Sequence, residues 1–246
     1  MYRYKCIVSY DGTKYMGFQL QDELPTIELK LKEAMYKMLK EDIKIYPSGR
    51  TDRYVHAKGQ VFHFDIDKDI PVNGIKNGIN AFLPNDIYIV DVTMVDEEFH
   101  ARFSAKAKEY RYYINQGEYN PLLVNYAPNI KGLNINKMEE ALKLLEGTHN
   151  FKGFASAQID PRKDTVKTIF EIKLNVRGDF LEFVFIGSGF LKYQIRRMMG
   201  LIIEIGRGKE SKTKITEVLD KCDPSISHKV APGCGLYLYK VYYESM

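Results

Sequence analysis

The chain has no tryptophan and only three cysteines in its 246 residues. Cys6, Cys222 and Cys234 stand far apart, and an odd, scattered set offers neither a disulfide framework nor zinc spacing. They read as buried or idle thiols. No apolar run approaches the roughly 18–20 residues that span a membrane. The N-terminus, MYRYKCIVSYDG, lacks the apolar core of a secretory signal and already reads as a strand. These absences point to a cytoplasmic protein with no membrane association.

The common motifs of nucleotide, metal and acyl chemistry are missing as well. Gly208-Lys209 is followed by Glu210, where a Walker loop needs Ser or Thr. No G-x-G-x-x-G follows a strand. Asp65, Asp67 and Asp69 resemble the start of a calcium loop, but Ile70 stands where glycine is required and Lys76 where the closing Glu belongs. His56, His63, His100, His149 and His228 form no HExxH and no close pair. Neither G-x-S-x-G nor a Cys/His arrangement suggests acyl transfer. The expectation is an enzyme or binding protein with no metal and no cofactor.

What remains is an ordinary globular profile, 45% hydrophobic and 28% charged. Thirty-six basic residues against 32 acidic ones give a net charge of only +4. The distribution is more informative. Lys192, Arg196, Arg197, Arg207, Lys209, Lys212 and Lys214 fall in residues 189–214, against Glu204 and Glu210. A second run holds Arg102, Lys106, Lys108 and Arg111. Such patches suit a phosphate backbone, although a solvated helix face fits the charge equally well.

Residues 2–10 read as a strand, and a polar loop with glycines follows. Thr26 is a plausible N-cap for a helix to about residue 41, on which Ile27, Leu31, Met35, Met38 and Leu39 recur at helical spacing. A short strand (IKIYPSG), a turn, a strand around Val61–Phe64, a helix over 72–83 and a strand over 87–95 complete a first half. The second half repeats the order. Strands are expected near 105–115, 165–176 and 180–187 and in the closing GLYLYKVYY, with helices over 136–146, 189–206 and 212–221. Each half reads β-α-β-β-α-β, an α+β, ferredoxin-like arrangement of antiparallel sheet and helices. The break falls near residues 100–106, giving halves 1–103 and 104–246 with a central cleft expected between them.

The segment SGRTDRYVHAKGQVFHF, residues 48–64, carries the chemistry. Asp52 lies in a tight turn between Arg50 and Arg53, and nearby cations favour its ionised form. An anionic carboxylate can act as nucleophile or base. It can also merely cap its own turn.

GRTDRYVHAKGQVFHF closely resembles the G-R-T-D-A-G-V-H-A-x-G-Q-V-x-H-F signature of the tRNA pseudouridine synthase A family. YDGTKYMGFQLQ (10–21), FHARFSAKAKEYRYYI (99–114), GFLKYQIRRMMG (189–200) and APGCGLYLYKVYY (231–243) resemble the family's further motifs, in the same order. The resemblance implies a uridine isomerase acting on the anticodon stem-loop of tRNA, working as a homodimer and without a cofactor. It implies that Asp52 is the catalytic carboxylate, either attacking covalently or removing the ribose C2′ proton to give a glycal. It matches Tyr110 to a residue that stacks on the flipped uracil and helps remove the C5 proton. It matches Arg196 to the partner of the carboxylate. Arg50, Arg197, Lys106 and Lys108 become candidates for RNA contact. Two departures stand out: Arg53-Tyr54 replaces Ala-Gly, and Phe18 replaces tryptophan. They leave open a paralogue acting on another tRNA site or on ribosomal RNA. A catalytically silent RNA-binding module and a uridine-cleaving glycosylase are competing readings of the same residues.

Overall fold

The computed structural model describes residues 1–160, 162–226 and 229–244. It divides into two compact units: Met1–Lys106 together with the chain from Tyr237 onward, and Ala107–Leu236. The first unit follows the expected order: β1 (Tyr2–Tyr10), α1 (Ile27–Leu39), β2 (Tyr46–Pro47), β3 (His56–Ile66), α2 (Val72–Asn80) and β4 (Ile87–Val95). Its strands lie in the order β4-β1-β3, with β2 on β3. Alternation on β1 sends Tyr4, Cys6, Val8 and Tyr10 inward, opposite Phe64 and Phe62 of β3. Ile27, Leu31, Ala34, Met35 and Leu39 form the buried face of α1. The helix starts where Thr26 accepts a hydrogen bond from the Leu29 N–H.

The second unit contains β5 (Ala107–Asn115), α3 (Ile135–Leu142), β6 (Gly147–Asn150), β7 (Val166–Arg177), β8 (Phe180–Gly187), α4 (Gln194–Gly206) and α5 (Thr213–Lys221). Its antiparallel strands lie in the order β5-β8-β7-β6. The short β6, GTHN, has no apolar alternation, so periodicity does not predict it. The helix expected from residue 189 begins at Gln194, because Tyr193 takes a left-handed φ of 67° and breaks the helical run. α4 is buried almost all round, with its charge confined to the ends.

The last strand, β9 (Leu236–Tyr242), leaves the second half of the chain and belongs to the first unit from Tyr237 on. It pairs with β3 in parallel, His56 opposite Tyr237 and Ala57 opposite Leu238. The sheets are therefore mostly, not wholly, antiparallel. Gly59 permits the close approach: a Cβ there would lie 2.5 Å from the Tyr239 carbonyl oxygen.

His63 of β3 is buried, stacks on Tyr46 at 4.8 Å, and accepts a hydrogen bond from the Ala101 N–H. Burial first, then the neighbouring His100 and Arg3, push its pKa down from 6.5 to about 4. Between these values the unfolded chain takes up a proton that the folded chain refuses. The stabilisation is complete above about pH 6.5 and is lost as pH falls toward 4. The urea midpoint is expected to drop between pH 7 and pH 4.5, and His63→Gln is expected to flatten that profile. An unchanged profile in the variant would assign the dependence to another group.

Candidate active site

Asp52 sits in a loop that the first unit anchors at several points. Upstream, Ser48 N–H donates to the Val61 carbonyl at 2.7 Å, and the Gln60 amide donates to the Gly49 carbonyl at 2.8 Å. Thr51 is buried, its hydroxyl 2.8 Å from that of Tyr10, and its carbonyl accepts from the Phe18 N–H. The segment 10–18 lies directly against this loop. A Cβ on Gly12 would be 2.1 Å from the Val55 carbonyl oxygen, and one on Gly17, whose φ is 98°, would be 2.8 Å from that of Thr51. Only glycine fits either approach. The Gly12 N–H donates to Nδ1 of buried His56, whose ring stacks on Tyr237 at 4.6 Å. Asp52 itself is half-buried, between an anchored threonine and a solvent-facing turn.

That turn closes through the Val55 N–H and the Asp52 carbonyl at 3.2 Å. Its third residue, Tyr54, has a φ of 65°. This place in a turn calls for glycine, and a large side chain there costs about 1–2 kcal/mol. Arg53, expected beside the carboxylate, stacks instead over the Tyr54 ring, 4.3 Å from its centroid, and donates to the Tyr54 hydroxyl. Arg50 is exposed.

In the second unit, β5 places Lys108, Tyr110 and Tyr112 on one face by its two-residue period. Tyr110 is only 9% exposed and packs edge-to-face against Phe190 at 5.3 Å. The segment 189–193 thus joins Tyr110 to the start of α4. Arg196 stands in the first turn of α4, its Nε donating to the Ala231 carbonyl at 2.8 Å while the Ala231 N–H donates back to the Arg196 carbonyl at 2.9 Å. Gly200 allows this stretch of chain to lie on the helix, since a Cβ there would fall 1.7 Å from the Lys229 carbonyl oxygen. The β5, α4 and 231–235 segments therefore meet within one unit. Phe190, Gln60 and Ala231 carry no reactive group that singles them out in the sequence, although each lies inside a matched motif.

The basic patches are not uniform. Arg207 pairs with Glu204, Lys212 with Glu140, and Lys214 with Glu217, so the far end of 189–214 is largely compensated. Arg111 bridges Glu109 and Glu182 on the face of β5 opposite Tyr110. These carboxylates hold its guanidinium charged against the cost of burial. Arg197 is half-buried, and its Nη1 donates to the Pro224 carbonyl at 2.7 Å. Burial lowers its pKa. Lys106 and Lys192 are exposed, and Lys108 is partly so. Among the described residues, no group of three or more His, Cys, Asp or Glu is placed to hold a metal. His228 lies outside the described residues. Among the described residues, no helix is long and apolar enough to cross a membrane.

Comparison with known proteins gives a consistent result. A family model described as tRNA pseudouridine synthase matches residues 6–104 and 141–244. A tRNA pseudouridine synthase A of Exiguobacterium sp. is 42% identical over 247 residues, covering 100% of both chains. One from Geobacillus sp. (strain WCH70) is 44% identical, with 99% of each chain covered. One from Oceanobacillus iheyensis is 42% identical, covering 99% of this chain and 98% of that protein.

Proposed function

The chain belongs to the tRNA pseudouridine synthase family, and on that premise we propose that it isomerises uridine to pseudouridine in the anticodon stem-loop of tRNA, with Asp52 as its catalytic carboxylate. The observation that carries this reading is the full-length match together with the clamped loop that presents Asp52 beside buried Thr51. In the reaction the C1′–N1 bond breaks, the uracil turns, and C5 bonds to C1′. C5 gives up its proton and N1 gains one, so atoms balance with no cofactor. The carboxylate can enter in two ways, by covalent attack or by taking the C2′ proton. Tyr110 and Arg196 are proposed to act in the same catalysis, Tyr110 by stacking on the uracil and assisting removal of the C5 proton.

The target base must leave its stack before it can react, which favours a site that holds RNA by shape and phosphate contact. Arg50, Lys106, Lys108 and Arg197 are proposed to supply such contacts. Lys106→Ala is expected to weaken tRNA binding and to lower the slope of log affinity against log salt by about one unit. An unchanged slope would remove Lys106 from the RNA surface. The proposed form is a cytoplasmic homodimer. Half-exposed Phe170 and Val176 on β7 are suited to burial against another chain. Light scattering at twice the chain mass is the expected result.

Mapping pseudouridine in a treated, unmodified tRNA transcript tests the target. Modification confined to the anticodon arm supports it. Modification elsewhere in tRNA, or only in ribosomal RNA, would replace it with the paralogue reading.

A further inference from the structure

We propose that Arg53 and Tyr54 form a stacking contact for an RNA nucleotide next to the reacting uridine. The inference rests on the pseudouridine synthase reading and extends it to residues in which this chain departs from the family motif.

Tyr54 occupies the turn position whose left-handed backbone, φ 65°, suits glycine. A bulky aromatic residue held there is strained, yet it is not part of the buried core, with 39% of Tyr54 exposed. Among the described residues no second aromatic ring packs against it. Arg53, itself exposed, lies over it: the guanidinium is 4.3 Å from the ring centroid and Nη2 donates to the phenol oxygen. The pair is thus a preorganised plate of ring and cation, one and two residues beyond Asp52 and in the same hydrogen-bonded turn. It adds nothing to a core.

A ring with a fixed guanidinium is the chemistry that receives unstacked bases. The ring offers a π face to any base, and the cation favours the neighbouring phosphate. Extruding one uridine leaves adjacent bases without a stacking partner, and a plate beside Asp52 can supply one. A purely local surface pair would leave RNA affinity untouched.

The test is tRNA affinity by filter binding, with melting temperature as control. Tyr54→Gly removes the ring and relieves the backbone, so it should fold with an undiminished melting temperature yet bind an unmodified tRNA transcript about tenfold more weakly. Tyr54→Phe should recover most of that loss, since the ring remains. Arg53→Ala leaves the turn backbone alone. It should weaken binding and lower the salt slope by about one unit. If the wild-type protein forms pseudouridine while Tyr54→Gly and Arg53→Ala bind tRNA as tightly as wild type, the stacking contact is wrong and the family reading stands. If the wild-type protein forms no pseudouridine in any RNA, the catalytic reading falls, and the stacking contact placed beside a reacting uridine falls with it.

Discussion

Asp52→Ala is expected to abolish pseudouridine formation, lowering the rate about ten-thousandfold or more, while leaving tRNA binding nearly intact. The size follows from the role. When the group that forms or breaks bonds is removed, what remains is the smaller effect of positioning. The loop should survive the change. Its anchors are the buried Thr51 hydroxyl, the Gln60 amide on Gly49, and the backbone contacts of Phe18 and Val55, none of which uses the Asp52 side chain. The melting temperature, read on the same preparation, checks that the loop has survived. Single-turnover kinetics on a tRNA transcript, read beside filter binding, separates chemistry from affinity. A variant that lost binding in proportion to activity would make Asp52 a structural residue of the loop.

Gly200→Ala is the second change with a large expected effect, although position 200 touches no candidate catalytic group. A methyl there would fall 1.7 Å from the Lys229 carbonyl oxygen, so the chain at 229–231 must move off α4. That displacement breaks the reciprocal pair between Arg196 and Ala231. Two lost hydrogen bonds and the overpacking together should cost about 3 kcal/mol of stability. Without the Ala231 carbonyl, the Arg196 side chain is held less tightly and rests more on its place over the Tyr193 ring, 5.3 Å from the centroid, and turnover should fall about tenfold at saturating tRNA. Melting curves and kcat measured on one preparation check both parts. Full stability and full turnover would show that the 229–231 segment can lift away at no cost.

Gly200 also marks where sequence alone stops being informative. Its place in the G-F-L-K-Y-Q-I-R-R-M-M-G segment is visible as part of a motif, but the reason for it is a stretch of backbone around Ala231, 35 residues beyond Arg196. Gly12 and Gly17 are the same case, since each makes room for the Asp52 loop from far upstream in the chain. The first unit is legible almost element by element, because β1 and α1 have clean periods of two and 3.6 residues, although β4 shifts register between Ile89 and Asp91. The second is less so. β6 is short and polar, and Tyr193 delays the start of α4 by taking a backbone conformation that only structure reveals. Local charge misleads in a physical way. The cations at 207–214 meet carboxylates on α3, on α5 and within α4 itself, and Arg111 turns to the opposite sheet face from Lys108. Likewise, proximity in sequence suggests that Arg53 flanks Asp52, whereas the turn sends it over Tyr54.

The most direct test of the central claim incubates the purified protein with an unmodified tRNA transcript carrying C5-tritiated uridine. Tritium release into solvent is expected, with no free uracil and with pseudouridine in the digested RNA. Free uracil would show a glycosylase, and retention of tritium in every tRNA would contradict uridine isomerisation in tRNA by this chain.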